Sequence, residues 1–232
     1  MTNFNTPGMG INGSSWQAHG YSGNGNVAEL IDSERGRAAI ICGGAVTVFS
    51  EFMEARSLLP ANVAIFAVNE VGMFLPHVDH WASLHGKNLQ TWKPVRWLHP
   101  KTPEQTLCHS IDSLENLHYN WSGLSPLMAL SGYFAMQIAW IMGFCPIVLC
   151  GCPGTPTRRF FDLQPRQDFG YGGYKYAADE NVRDQVIQEM QRIPEFKECV
   201  ASMGGWTRSY FGGIPWLRSQ LLQQQKREQS KK

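Results

Sequence analysis

The stretch from Ser131 to Gly151, Ser-Gly-Tyr-Phe-Ala-Met-Gln-Ile-Ala-Trp-Ile-Met-Gly-Phe-Cys-Pro-Ile-Val-Leu-Cys-Gly, restricts the fold more than any other part of the chain. It reads as an apolar helix capped by Ser131 and ended by Gly143, feeding a short strand, Ile147 to Cys150, that stops at a glycine. A strand with no polar position has no face to offer to water. It belongs in a parallel sheet covered by helices on both sides.

The same pattern recurs upstream. Ala38 to Phe49 reads as a buried strand running into the pair Gly43-Gly44, with Ser50 as the cap of a helix that reaches Leu59 and is ended by Pro60. Val63 to Val68 is a second strand stopping at Asn69, Val78 to Leu84 a third stopping at His85-Gly86, and Val95 to Leu98 a fourth stopping at His99-Pro100. Ile147 to Cys150 makes the fifth, after a loop-rich section holding His109, His118 and Trp121. Strands separated by helical or loop crossovers predict a Rossmann-like α/β fold, with a mainly parallel sheet of about five or more strands and helices on both faces. Helices are expected at the C-terminal end, over Asp179 to Arg192, Glu195 to Met203 and Pro215 to about Arg227.

Around this body the composition changes. Residues 1–30 are rich in Gly, Asn and Ser and read as a flexible arm, leaving 31–232 as one domain. Within it, 152–176 carries prolines, glycines and aromatics and reads as a lid-like loop. With 232 residues, 43% of them hydrophobic and 17% charged, the chain can close one sizeable core. A net charge of +1 gives no basis for a nucleic-acid stripe beyond a local basic groove. Six cysteines without a paired CxxC framework suit a reducing compartment. No cationic leader precedes an apolar run, and no segment reaches the ~20 apolar residues that span a bilayer, so a soluble, cytoplasmic protein with no membrane partner is expected.

In open parallel sheets ligands bind beyond the carboxyl ends of the strands, which turns the strand ends into a list of candidates. Gly43 and Gly44 leave room for a phosphate or ribose near backbone amides, without the spacing of a dinucleotide or P-loop motif. Asn69 suits a ribose hydroxyl or a phosphate, or caps the following turn. His85 is placed to act as a general base or to hold a phosphate, or to serve as a structural hydrogen-bonding group. Arg158, Arg159 and Arg166, with the run Gly170-Tyr-Gly-Gly-Tyr-Lys-Tyr176, supply charge and aromatic surface to close over a phosphorylated ligand. Asp79, His80 and His85 lie within one short segment and with His77 invite a metal reading, but strand alternation puts His77 and Asp79 on one side and His80 on the other. No metal site is therefore expected.

The order Cys42-Gly-Gly-Ala, Ala67-Val-Asn-Glu, and Ser131-Gly leading to Leu149-Cys-Gly-Cys resembles the Rossmann-like family that includes bacterial CMP-sialic-acid sialyltransferases and 6-hydroxymethylpterin diphosphokinase-like proteins, including a phage-encoded branch. The resemblance covers roughly Ala38 to Gly151. It implies nucleotide contact by Gly43, Gly44, Asn69, Ser131 and Gly132. The family's catalytic base is a histidine after the last motif, whereas this chain has no histidine beyond His118 and carries Tyr171, Tyr174, Lys175 and Tyr176 there. Tyr174 and Tyr176 are then expected to bind the donor phosphate and assist the leaving group, with His85 as base.

These readings converge on a nucleotide- or nucleotide-sugar-binding transferase, glycosyltransferase-like, that moves a group to an acceptor the sequence does not identify. No cofactor is required for that reaction. The first alternative is Mg²⁺-dependent pyrophosphoryl transfer from ATP, for which Asp79 and Asp162 are the candidate ligands. The second is a non-catalytic phage accessory or assembly protein, acting in the host cytoplasm. Homo-oligomerisation is left open.

Overall fold

The computed structural model describes residues 25–96, 106–112, 117–122, 124, 130–154, 159–160, 184, 187–188, 191, 195–215, 217–219 and 222. Seven strands form one sheet: β1 (Ala39–Cys42), β2 (Ala64–Val68), β3 (His80–Ala82), β4 (Leu107–Ser110), β5 (Tyr119–Asn120), β6 (Ile147–Cys150) and β7 (Val200–Ser202). Their order is β5-β4-β3-β2-β1-β6-β7, and every neighbouring pair is parallel. This is the expected Rossmann-like α/β architecture. The chain moves outward in one direction from β1 to β5, then returns to the other side of β1 with β6, so the strand order reverses between β1 and β6.

Helices cover both faces: α1 (Val48–Leu58), α2 (Gly86–Arg96), α3 (Ser131–Ile141), α4 (Glu195–Cys199) and α5 (Gly205–Phe211). Strand alternation divides the core in two. Ala39, Ile41, Phe66 and Leu149 pack with α3 and with Phe196 and Phe211, while Ile40, Cys42, Ile65, Ala67 and Val148 pack with α1 and with Leu89 of α2. α1 buries only the stripe Val48, Phe52 and Ala55, at the i, i+4, i+7 spacing of one helix face. α3 buries eight residues, Tyr133 to Met136 and Ile138 to Ile141, because it lies between the sheet and α4, where Trp140 stacks on Phe196 at 4.7 Å. Its last carbonyls are taken by the segment before β1: Asp32, Glu34 and Gly36 donate backbone N–H groups to Ile141, Met142 and Gly143. Gly143 stops the helix at φ 89°, a left-handed conformation that glycine adopts without a Cβ penalty.

Four expectations are corrected. Ser50 is the third residue of α1, whose N-cap is Thr47, with no side-chain cap. Val95 and Arg96 end helix α2 and do not begin a strand, because Arg96 buries its guanidinium and donates to the carbonyls of Gly72 and Leu75. A short apolar run does not distinguish strand from helix, and that buried anchor decides. The fourth strand is instead Leu107–Ser110, hidden in the sequence by His109 and Ser110, both fully buried polar residues. The expected helix over Glu195 to Met203 stops at Cys199 and becomes the edge strand β7. Ser131 is the first helical residue of α3, with Leu130 as its N-cap and no side-chain cap.

Candidate functional site

The reversal between β1 and β6 marks the candidate site, since helix starts and loop amides converge at such a point. From β1 the chain turns through Gly43 and Gly44, and Gly43 donates its N–H to Cys150 O at 2.7 Å. Gly43 has no space for a side chain: a Cβ there would lie 2.5 Å from both Cys152 Sγ and Gly151 O. Gly44 differs, with nothing within 4 Å of its Cβ position. Gly132, at the start of α3, meets the same sulfur at 3.3 Å. Gly43, Gly132 and Cys152 thus come together at the crevice, while the space beside Gly44 is open. The amides that open α3 are among those for which a helix supplies no internal acceptor.

Between β6 and β7 the crevice is filled by a carboxylate. Gly151, at φ 63°, donates its N–H to Glu51 Oε2 at 2.6 Å, and a Cβ on Gly204 would lie 2.6 Å from Glu51 Oε1. Glu51 occupies the first turn of α1, where a negative charge is favoured by the helix dipole. Burial pushes the thiols of Cys42 and Cys150 well up, and Cys152 to about 12, with the Glu51 carboxylate acting in the same direction on each. These three sulfurs are neutral S–H groups at physiological pH and poor nucleophiles.

One strand over, Asn69 ends β2 at φ 54°, and its carbonyl accepts a hydrogen bond from Trp81 Nε1 at 2.7 Å. The chain returns to this side of the crevice at 159–160. Arg159 forms an antiparallel bridge with Ala45 and an ion pair with Glu70 at 3.2 Å, while Phe160 donates its N–H to Gly44 O at 3.1 Å. The Phe160 ring meets Phe49 at 5.3 Å and Phe74 at 5.2 Å, both edge-on. Residues 159–160 therefore lie against the Gly44 turn and link it to the end of β2 through Arg159 and Glu70.

His85 lies at the same carboxyl edge, beyond β3 and two strands from β1. It is exposed, its N–H donates to Ser83 Oγ, and its carbonyl accepts from Asn88. Asp112 occupies the start of α2 by accepting from the Gly86 N–H at 2.8 Å. Arg158, Tyr174, Tyr176, Arg166 and Asp162 lie outside the described residues. Asp79 does not reach this edge. It precedes β3 at the amino end, accepts from Ile65 N–H at 2.7 Å and lies 3.0 Å from His77 Nε2, so it cannot serve phosphates at the carboxyl edge. Among the described residues no group of three or more His, Cys, Asp or Glu side chains is arranged to hold a metal ion.

Sequence reasoning missed a buried polar chain on the α3 face. Trp121 Nε1 lies 3.1 Å from His109 Nδ1, and His109 Nε2 lies 3.0 Å from His80 Nδ1. Indole only donates, which makes His109 Nδ1 the acceptor and leaves its proton on Nε2. That proton is directed to His80 Nδ1, so both imidazoles are neutral with defined tautomers. Phe66 stacks on His80 at 4.2 Å and Tyr119 on His109 at 5.4 Å. Burial is the main cause that lowers His80 to about 4 and His109 well below its ordinary range. The available signal was one His in each of two neighbouring strands, which becomes visible only once β4 is recognised.

No family model, curated protein or solved structure matches this chain. Among the described residues no helix is long and apolar enough to cross a membrane.

Proposed function

We propose that this chain is a nucleotide- or nucleotide-sugar-binding transferase, glycosyltransferase-like, with its donor seated at the carboxyl edge above β1 and β2. The observation that carries this reading is the reversal of strand order beside Gly44, whose open side is bordered by residues 159–160 of the returning loop. Gly44 offers close backbone approach, Asn69 lies within one strand for a ribose hydroxyl, and the first amides of α3 suit a phosphate oxygen. Departure of a donor phosphate needs stabilisation of developing negative charge, which Arg159 would supply once a phosphate draws it from Glu70. His85, exposed at the same edge, is the proposed base. The acceptor remains outside this reading.

One observation favours a second reading. The β1/β6 crevice is occupied by Cys152 and the neighbouring space between β6 and β7 by Glu51, which suits a fold kept for assembly, as in a non-catalytic phage accessory protein. Pyrophosphoryl transfer loses Asp79 as a magnesium ligand. A thermal-shift screen of CMP, UDP, GDP, ADP, ATP and their sugars, with and without Mg²⁺, separates these readings. A ligand at ~100 times its dissociation constant adds about 2.7 kcal/mol to the folded state. A selective Tm rise that Arg159→Ala removes supports the transferase, whereas a flat screen at millimolar nucleotide supports the assembly protein.

A further inference from the structure

Of the six cysteines, all present as thiols, four are inert: burial raises Cys42, Cys108, Cys150 and Cys152. Cys145 and Cys199 differ from them in place and partner. Cys145 lies two residues before β6, Cys199 is the last residue of α4 and immediately precedes β7, and Ile147 pairs with Val200 in register. The two cysteines therefore enter neighbouring parallel strands at the amino edge, opposite the candidate site. Both are half-buried, and their side chains hydrogen-bond to each other. That bond is the largest influence on Cys145 and holds its thiol below the ordinary range, against burial and the Glu198 carboxylate.

We propose that Cys145 and Cys199 form a redox modification site, a dithiol that small disulfides of the glutathione class oxidise to an intramolecular disulfide joining β6 to β7. The span is suitable: the register sets Cys199 beside Pro146, one residue along from Cys145, and strands about 4.8 Å apart with a rise of about 3.3 Å per residue give a diagonal Cα separation of about 6 Å, inside the range of about 4.4–6.8 Å that disulfides join. Cys145 reacts first, as its thiolate is stabilised by the Cys199 S–H. Its sulfur attacks one sulfur of the small disulfide, forming a mixed disulfide and releasing one thiolate. Cys199 then loses its proton to solvent and attacks the Cys145 sulfur, forming the Cys145–Cys199 bond and releasing the second thiolate. Two protein thiols are oxidised and one small disulfide is reduced to two thiols, so the electrons balance with no further reagent. In a reducing compartment this is a reversible modification and not a permanent staple.

The test treats the folded full-length chain with oxidised glutathione, blocks the remaining thiols with iodoacetamide and maps the peptides by mass. The expected product is a Cys145–Cys199 cross-linked peptide that dithiothreitol reverses, with Cys42, Cys108, Cys150 and Cys152 alkylated only after unfolding. Cys199→Ser should stop at a glutathionyl mixed disulfide on Cys145, and Cys145→Ser should slow glutathione incorporation by about tenfold or more. Recovery of both residues as alkylated thiols overturns the proposal. So does a wild-type product that keeps a stable mixed disulfide without the cross-link.

Discussion

Acidification should destabilise this fold through its buried histidine pair, and the size of the effect follows from His80. In the unfolded chain an imidazole titrates near 6.5, whereas folding lowers His80 to about 4, chiefly by burial. The unfolded state then binds more protons than the native state throughout that window. Stability is at its full value above about pH 6.5 and falls as pH drops towards 4. At pH 5 the unfolded imidazole is almost wholly protonated and the native one almost wholly neutral, which amounts to about 2 kcal/mol lost relative to pH 7.5, with a local slope of about 1 kcal/mol per pH unit. His109, lowered well below its ordinary range by burial and by His80, adds in the same direction. Urea unfolding at pH 7.5, 6 and 5 measures this slope. His80→Asn keeps an acceptor for the His109 N–H while removing one ionisation, so it should flatten the slope by about 1 kcal/mol per pH unit between pH 6 and 5. An unchanged slope in the variant, or imidazole NMR signals for His80 and His109 that titrate near 6.5 in the folded protein, would refute the reasoning.

Other consequences concern packing. Gly43→Ala would bring a methyl to 2.5 Å from Cys152 Sγ and Gly151 O and should cost about 1–3 kcal/mol in denaturant unfolding. Gly44→Ala meets open space and should stay within about 0.5 kcal/mol of wild type, so a loss of nucleotide affinity in that variant reports on the site itself. Arg96→Met leaves the Gly72 and Leu75 carbonyls without their donor and should cost about 2 kcal/mol or more, read as a lower urea midpoint at unchanged m-value. Glu51→Gln weakens the acceptor for the Gly151 N–H and should cost about 1 kcal/mol by the same assay.

The centre of the sheet was legible in the sequence because its strands are continuous apolar runs. β1, β2 and β6 and the helix α3 announce themselves through that pattern, and Gly143 marks where α3 stops. The flanks were not legible in the same way. β4 carries two buried polar residues, His109 partnered by His80 of β3 and Trp121 after β5, and Ser110 donating to the Leu84 carbonyl beyond β3, so local hydrophobicity understates its burial. β5 and β7, with two and three residues, are too short for any period to appear. α2 owes its identity to the long-range contacts of Arg96, which no local window contains. At the candidate site the glycines were identifiable as strand-end turns, but not that one is filled by Cys152 and the next is open. Glu51 gave no sign of its role, since a glutamate in the first turn of a helix is ordinary. Its acceptance of the Gly151 N–H depends on a residue 100 positions away.

The central claim, a nucleotide seat at the carboxyl edge above β1 and β2, is tested most directly by an amide-resolved NMR titration of the full chain with CMP, UDP and ATP. Saturable shifts are predicted at Gly44, Asn69, Glu70, Ser131, Gly132 and Arg159, with Asp79 and Arg37, which precedes β1 and lies 4.0 Å from the Asp79 carboxylate at the amino edge, unmoved. Shifts confined to the amino edge, or none at millimolar nucleotide, would contradict it.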